Sequence, residues 1–348
     1  MFSLILFVSI FISNPPSGTF SIVAVDTLTG EIGVAVASKF LAVGAVVPYA
    51  RVEFGAIATQ AWGNTTFGPR GLELLKEGYS PQEVLNILLK DDTLREQRQV
   101  GIVNVRGESA AYTGKGCMDW AGHIIGPGYS IQGNILAGEQ VVKAMERSFL
   151  EAKGELADRL LRALEAGEAA GGDRRGKQSA ALLVVRKGGG YSGYNDRYVD
   201  IRVDDHPDPI KELKRIYKIW KRTFLIDAHG RIGDSLKKEG KNKLAELEYS
   251  RALEIMDEAL KESPNDPDLL NNIAWFMGLR DIRLEEAKKI IDKAMVLRPD
   301  DANILDTGAL IYYKLGDKRK AIELEERAVK LDPKNEYFRK MLMKYRGE

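Results

Sequence analysis

Gly18-Thr19-Phe20-Ser21-Ile22-Val23-Ala24-Val25-Asp26 marks the point where an apolar leader and a Pro-Pro-Ser-Gly stretch end and a β-pattern opens on a hydroxyl residue. Scission between Gly18 and Thr19 gives that threonine both a nucleophilic hydroxyl and a free α-amine. An N-terminal amine, with an ordinary pKa of about 8, can act as base for the hydroxyl of its own residue. Gly18 and Thr19 are therefore the expected processing pair and Thr19 the expected nucleophile. The plainer reading is that Thr19 simply starts a first strand.

Upstream, Phe2 to Ile12 is an apolar run of signal-peptide length, too short to be read as a membrane span. Residues 1–18 then form a signal peptide or propeptide, and the protein is expected to be exported or at the cell surface. No Lys or Arg precedes the run, and Pro16 and Gly18 sit where small residues such as Ala are usual. Self-processing and a start codon placed upstream of the true one are the rival readings; without a signal peptide the expectation is cytoplasmic.

Downstream, Phe20 to Val25 and Glu31 to Ala37 are β-rich runs joined by a turn ending in Gly30, a hairpin. Ala45 to Val52 and Gly55 to Ala61 follow as further strands, then a helix from Gly71 to Glu77. Ser80-Pro81-Gln82-Glu83 gives a second helix its cap, first-turn proline and acidic start, and it runs to about Lys90. Gln99 to Asn104 and Ser109 to Thr113 make another hairpin. After a glycine-rich passage, Gly114 to Gly138, the span Val141 to Ala166 reads as one helix, and Ser179 to Arg186 and Tyr198 to Val203 as closing strands. Strands and helices in separate blocks argue an α+β domain of antiparallel sheets, a sheet pair covered by helices.

The 348 residues, 44% hydrophobic and 29% charged, suit a globular chain of two domains. Formal net charge is +1 and evenly spread, which argues against nucleic acid as a partner. Cys117 is the only cysteine, so an intrachain disulfide and a cysteine zinc cage are excluded.

Thr19-Phe20-Ser21-Ile22-Val23-Ala24, Gly33 to Phe40, Ala58-Thr59-Gln60, Tyr112-Thr113-Gly114, Cys117, Trp120-Ala121-Gly122-His123, Gln132-Gly133-Asn134, Ala170-Gly171-Gly172-Asp173, Gln178-Ser179-Ala180-Ala181 and Asp204-Asp205-His206-Pro207 resemble, in order, the DUF1028 family. The resemblance implies a αββα four-layer sandwich of the N-terminal-nucleophile hydrolase type over residues 19–207, with no established activity to carry over. The first seventy residues also resemble, more distantly, a proteasome β-type subunit, whose second strand ends in Ala-Asp-x-Arg. Here that corner is Ala37-Ser38-Lys39-Phe40. The carboxylate is missing, and Lys39 is the candidate supporting charge.

Gln60, Asn64, Gln132 and Asn134 stand in expected loops beside glycines, where amides can bind a carbonyl or an oxyanion, or equally satisfy turn backbones. Gly171-Gly172-Asp173-Arg174-Arg175-Gly176-Lys177 opens like a phosphate loop, but Gln178 replaces the magnesium-binding hydroxyl and a strand follows, so no nucleotide site is assigned. Asp173, Arg175 and Gln178 either face the substrate pocket or decorate a solvated turn. Cys117 is read as a small buried hydrophobe. His123, His206 and His229 lack metal-ligand spacing. Neither a metal nor a cofactor is expected.

Past Pro209 the pattern changes. Ile210, Leu213, Ile216, Tyr217, Trp220 and Phe224 form one helical face, with Lys and Arg opposite, and residues 208–232 read as an amphipathic linker helix that docks on the preceding domain or lies on an anionic membrane. In residues 233–348, Ala287, Ala294 and Pro299 recur as Ala321, Ala328 and Pro333 at the tetratricopeptide period, with a weaker first unit at Ala252, Ala259 and Pro264 and a capping helix from Glu336. This is an all-α tetratricopeptide-like solenoid, expected to take a protein or peptide partner; self-association into a homo-oligomer is the competing use. The expected function is an N-terminal-threonine amidohydrolase acting on a small amide or peptide-like substrate. The alternative is a non-catalytic binding or scaffold protein that keeps the fold.

Overall fold

The computed structural model describes residues 18–348, so the expected leader lies outside the described residues apart from Gly18. The chain divides into two compact units, one ending at Trp220 and one spanning Lys221–Glu348.

Among the described residues the first unit holds ten strands: β1 (Thr19–Asp26), β2 (Glu31–Ser38), β3 (Pro48–Arg51), β4 (Gly55–Ala61), β5 (Arg98–Asn104), β6 (Ser109–Thr113), β7 (Gly122–Gly126), β8 (Tyr129–Asn134), β9 (Ser179–Val185) and β10 (Arg197–Val203). Its helices are α1 (Phe67–Lys76), α2 (Pro81–Lys90), α3 (Gln140–Glu151), α4 (Leu156–Ala169) and α5 (Pro209–Trp220). A six-stranded antiparallel sheet runs β10-β9-β2-β1-β8-β7, and a four-stranded one β3-β4-β5-β6. The sheets face each other through β1, β2, β4, β5 and β8. Helices α1 and α2 cover the smaller sheet and α3, α4 and α5 the larger.

Period-2 alternation explains how β1 serves two layers. Phe20 points toward α4, where Gly167 leaves it room. Val23 and Val25 point the other way, into a core shared with Val34, Val36, Ala56, Ala58 and Val103. On the far face of the smaller sheet, Ile57, Val100 and Ile102 pack on Phe67, Leu72, Leu75, Val84, Leu85 and Leu88. Ser80 and Glu83 close a reciprocal capping box at the start of α2, each binding the other's backbone N–H.

Two sequence expectations change. The span Val141 to Ala166 is two helices, because Ala152 is extended and Gly154 takes a φ of 103°. The second helix is started by a remote group: the buried Glu31 carboxylate accepts from Leu156 N at 2.9 Å. The passage Gly114 to Gly138 conceals β7 and β8, of which β8 pairs with β1 inside the sheet. Its glycines are there for packing: a Cβ on Gly133 would lie 2.3 Å from Leu136, and one on Gly126 would lie 2.2 Å from the Tyr129 ring.

The second unit opens with a π-helical turn, Lys221–Leu225, and continues as α6 (Ile226–Lys238), α7 (Asn242–Glu262), α8 (Pro267–Arg280), α9 (Leu284–Leu297), α10 (Ala302–Lys314), α11 (Lys318–Leu331) and α12 (Glu336–Arg346). Helices pair as α6 with α7, α8 with α9 and α10 with α11, and α12 packs on α11. Ala252, Ala287, Ala294, Ala321 and Ala328 are all fully buried. Small side chains at these repeated positions let paired helices approach closely.

Candidate functional site

The β1–β2 hairpin sets Thr19 opposite Ser38, and the β1–β8 pairing sets it opposite Asn134. Thr19 is only 1% exposed. Its hydroxyl donates to Ser38 Oγ at 3.1 Å, and Ser38 Oγ donates in turn to the Gly18 carbonyl. That carbonyl also accepts from Arg175 Nη2 at 3.0 Å. Arg175 is held by Asp173, through Nε to Oδ1 at 3.1 Å and Nη2 to Oδ2 at 2.7 Å. The loop carrying both is tied to the segment after β8 by Arg174 N to Ile135 O and Ala137 N to Gly172 O. A guanidinium and a hydroxyl thus converge on the carbonyl of the bond that precedes Thr19.

Behind Thr19 the space between the sheets is polar, in contrast to the valine-lined end. Ser21 Oγ donates to Gln60 Oε1 at 2.6 Å, and Gln60 Nε2 reaches the Thr19 carbonyl at 3.3 Å and Gln99 Oε1 at 2.8 Å. Gln132 donates through Nε2 to Ser21 Oγ and accepts at Oε1 from Ser130 Oγ, while Asn134 Nδ2 donates to Gln99 Oε1 at 3.0 Å. Gln99 Nε2 continues to Thr113 Oγ1, which meets His123 Nδ1 at 2.9 Å. Burial lowers the His123 pKa, so its ring is neutral at pH 7. Gln60, Gln99 and Gln132 are each held at both the oxygen and the nitrogen of the amide, which suits a rigid wall for a reacting carbonyl. Gly101 makes the network fit: a Cβ there would lie 2.0 Å from Gln132 Oε1. Gly101→Ala is expected to cost about 1–3 kcal/mol, as overpacking does; urea unfolding of wild type and variant, followed by loss of the first unit's near-ultraviolet signal, checks it.

The structure thus gathers Gly18, Thr19, Gln60, Gln132, Asn134, Asp173 and Arg175. Gln60 stands on β4, within the expected strand Gly55 to Ala61 and not in a loop, whereas Gln132 and Asn134 stand on β8, where a loop is expected from the sequence. Three candidates point elsewhere. Lys39 Nζ donates to the Lys177 carbonyl at 3.2 Å on the surface, and only its backbone N–H joins the site, donating to Asp173 Oδ2 at 2.9 Å. Asn64 holds its own turn, accepting from Thr66 N, and binds Asp92. Gln178 donates its side chain to Asp205. Ser21, Ser38, Gln99, Thr113 and Ser130 were not singled out from the sequence. Ser38 had a legible signal, because a turn joining Asp26 to Glu31 fixes the register that places it opposite Thr19.

Cys117 is part-buried, donates to the Arg98 carbonyl at 3.4 Å, and burial pushes its thiol up to about 11, so it stays protonated at neutral pH. Among the described residues no group of three or more His, Cys, Asp or Glu is placed to hold a metal ion. A groove of about 480 Å³, lined by Arg51, Arg197, Asp200 and Arg202 among others, lies along β3, β9 and β10, not at Thr19.

Fold and site together define a mixed α+β domain of two facing sheets joined to a tetratricopeptide-like helical region. Residues 19–213 match the model of DUF1028, a family of unknown function, and the chain belongs to that family. Residues 309–335 match a tetratricopeptide repeat model. A DUF1028 protein of Silicibacter pomeroyi, known from its crystal structure, is 33% identical with a TM-score of 0.54, the match covering 59% of this chain and 89% of that one. The first tetratricopeptide domain of Spaghetti, solved with an HSP90 peptide, matches at 20% identity and a TM-score of 0.27 over 35% of this chain and 90% of its own. Interferon-induced protein with tetratricopeptide repeats 2 from Cricetulus griseus is 30% identical over 86 residues, 25% of this chain. The chain spans only 18% of that relative's length.

Proposed function

We propose that the first unit is an N-terminal-nucleophile hydrolase sandwich in which Thr19, freed by scission of the Gly18–Thr19 bond, hydrolyses a small amide or peptide-like substrate. The observation that carries this reading is the Gly18 carbonyl, held by Arg175 and Ser38 beside the Thr19 hydroxyl. In the scission step Thr19 Oγ attacks the Gly18 carbonyl carbon, and the oxygen that gains negative charge already faces a cation and a hydroxyl. The threonine proton ends on the departing Thr19 nitrogen as the C–N bond breaks, while Ser38 keeps its hydrogen bond to the oxyanion. Water then cleaves the resulting ester, leaving a Gly18 carboxylate and a Thr19 with a free amine. That amine is the base for later turnovers.

The helical second unit is, in this proposal, a module for a protein or peptide partner. A second reading, a scaffold that never cleaves, is favoured by the 1% exposure of Thr19 and by the outward course of the Lys39 side chain.

Intact mass and N-terminal sequencing of wild type and Thr19→Ala, made in a purified translation system without signal peptidase, separate the two. The expected result is a wild-type chain beginning at Thr19 and an uncleaved Thr19→Ala chain. Retention of residues 1–18 by wild type, both there and in the native host, sinks the hydrolase reading and leaves the scaffold.

A further inference from the structure

The glycine that precedes Thr19 has almost no room around its Cα. A methyl group on Gly18 would lie 2.8 Å from Asp173 Oδ1 and 2.9 Å from both Cγ and Oδ2. A carboxylate at the end of a mobile side chain can swing aside, but this one cannot do so without losing partners. Oδ1 accepts from Arg175 N at 3.0 Å and Arg175 Nε at 3.1 Å, and Oδ2 accepts from Lys39 N at 2.9 Å and Arg175 Nη2 at 2.7 Å. The Asp173 side chain is 1% exposed, so no water replaces a bond that is broken. Charge-assisted bonds of this kind are among the stronger ones in proteins.

The chemistry of the two reactions connects this wall to substrate choice. Scission leaves the Gly18 acyl group as an ester on Thr19 Oγ, and turnover leaves the substrate's acyl group as an ester on the same oxygen. Both esters present a carbonyl oxygen to Arg175 and Ser38, and both place the atom next to the carbonyl carbon against Asp173. We propose that the site is an acyl subsite selective for an α-carbon that bears no side chain, accepting glycyl and acetyl amides and excluding alanyl and larger acyl groups. The proposal rests on the hydrolase reading above. In the reaction Thr19 Oγ forms a C–O bond to the acyl carbon, its proton moves to the Thr19 amine and on to the leaving amine as the C–N bond breaks, and water then releases glycine or acetate and restores the hydroxyl.

The full chain with a verified Thr19 terminus is assayed against glycyl, acetyl, alanyl and leucyl p-nitroanilides, beside Thr19→Ala. The expected result is a kcat/KM for the glycyl and acetyl compounds on the order of tenfold or more above the alanyl one, the scale on which a single carbon is discriminated, with all turnover lost in Thr19→Ala. Equal hydrolysis of the alanyl or leucyl compounds, still dependent on Thr19, overturns the subsite and leaves the hydrolase standing. No hydrolysis of the panel, or hydrolysis that persists in Thr19→Ala, overturns both. Removing the wall offers a second readout, because Asp173→Gly is expected to narrow the glycyl-over-alanyl ratio. An unchanged ratio in a folded Asp173→Gly protein counts against Asp173 as the excluding group.

Discussion

If the Gly18–Thr19 bond is cut as proposed, Arg175→Met is expected to slow that scission by roughly 10²–10³-fold, the usual loss when one oxyanion donor is removed. Among the described residues Arg175 Nη2 is the only charged donor seen to hydrogen-bond the Gly18 carbonyl, and Ser38 supplies a neutral one. The substitution also strips a buried carboxylate of its cation, since the Asp173 side chain is 1% exposed. Breaking one side of a buried pair can cost several kcal/mol by itself, so a misfolded variant has to be told apart from an inactive one. Asp173→Asn combined with Arg175→Met removes the orphaned charge while keeping the loss of the guanidinium. The rate is read by intact mass during translation, and folding by circular dichroism. Wild-type scission in a folded double variant would remove Arg175 from the mechanism. Slow scission in the double variant, together with a native spectrum, assigns the loss to the missing donor.

What the sequence made legible, and what it hid, follows from the range of the interactions involved. The β1–β2 hairpin, the α2 cap and the alanine-proline period of the repeats are written in neighbouring residues, and each was readable. Thr19, Gln60, Gln132, Asn134, Asp173 and Arg175 were also named, on residue type and on resemblance. Their arrangement was not readable, because it depends on pairings between distant strands. Glycines misled most. In Gly122–Gly126 and Tyr129–Asn134 they read as turn residues, yet they make space for Tyr129 and Leu136 within a sheet. Lys39 was placed by analogy with an arginine. The chain direction after β2 carries its side chain to the Lys177 carbonyl, and only its backbone faces Asp173. The split between α3 and α4 depends on Glu31, a carboxylate from another strand that no local pattern announces.

The repeat period itself exposes an anomaly in the second unit, and with it the other large effect. Ile291 of α9 is fully buried in the helical core, and the residue one period of 34 later, in α11, is Glu325, also fully buried. Its carboxyl faces Asp306 of α10, which is 4% exposed. Among the described residues no donor reaches Asp306 Oδ1 or either oxygen of Glu325, and the buried Tyr345 hydroxyl of α12 has no partner either. Burial, and then the Asp306 carboxyl beside it, hold Glu325 far above the ordinary carboxylate range; burial raises Asp306 as well. Two carboxyls in such a place are stable together only if they share a proton. Because folding raises these pKa values, the stability they permit is present in full below the unfolded values near pH 4 and is lost as pH rises through the folded ones. The α10–α12 segment is therefore expected to loosen from pH 5 to pH 8.5, with faster hydrogen exchange of its amides after correction for the intrinsic rate. Glu325→Ile, which restores the residue of the preceding repeat, is expected to stabilise the segment by roughly 1–4 kcal/mol at pH 8, in line with replacements of buried charges by apolar groups, and to flatten the pH dependence. Glu325→Gln keeps the shape and a hydrogen-bonding amide while removing one titrating group, so it too is expected to flatten the profile. A profile that stays steep in both variants would place the pH sensitivity in some other group and leave Glu325 an inert substitution in the repeat.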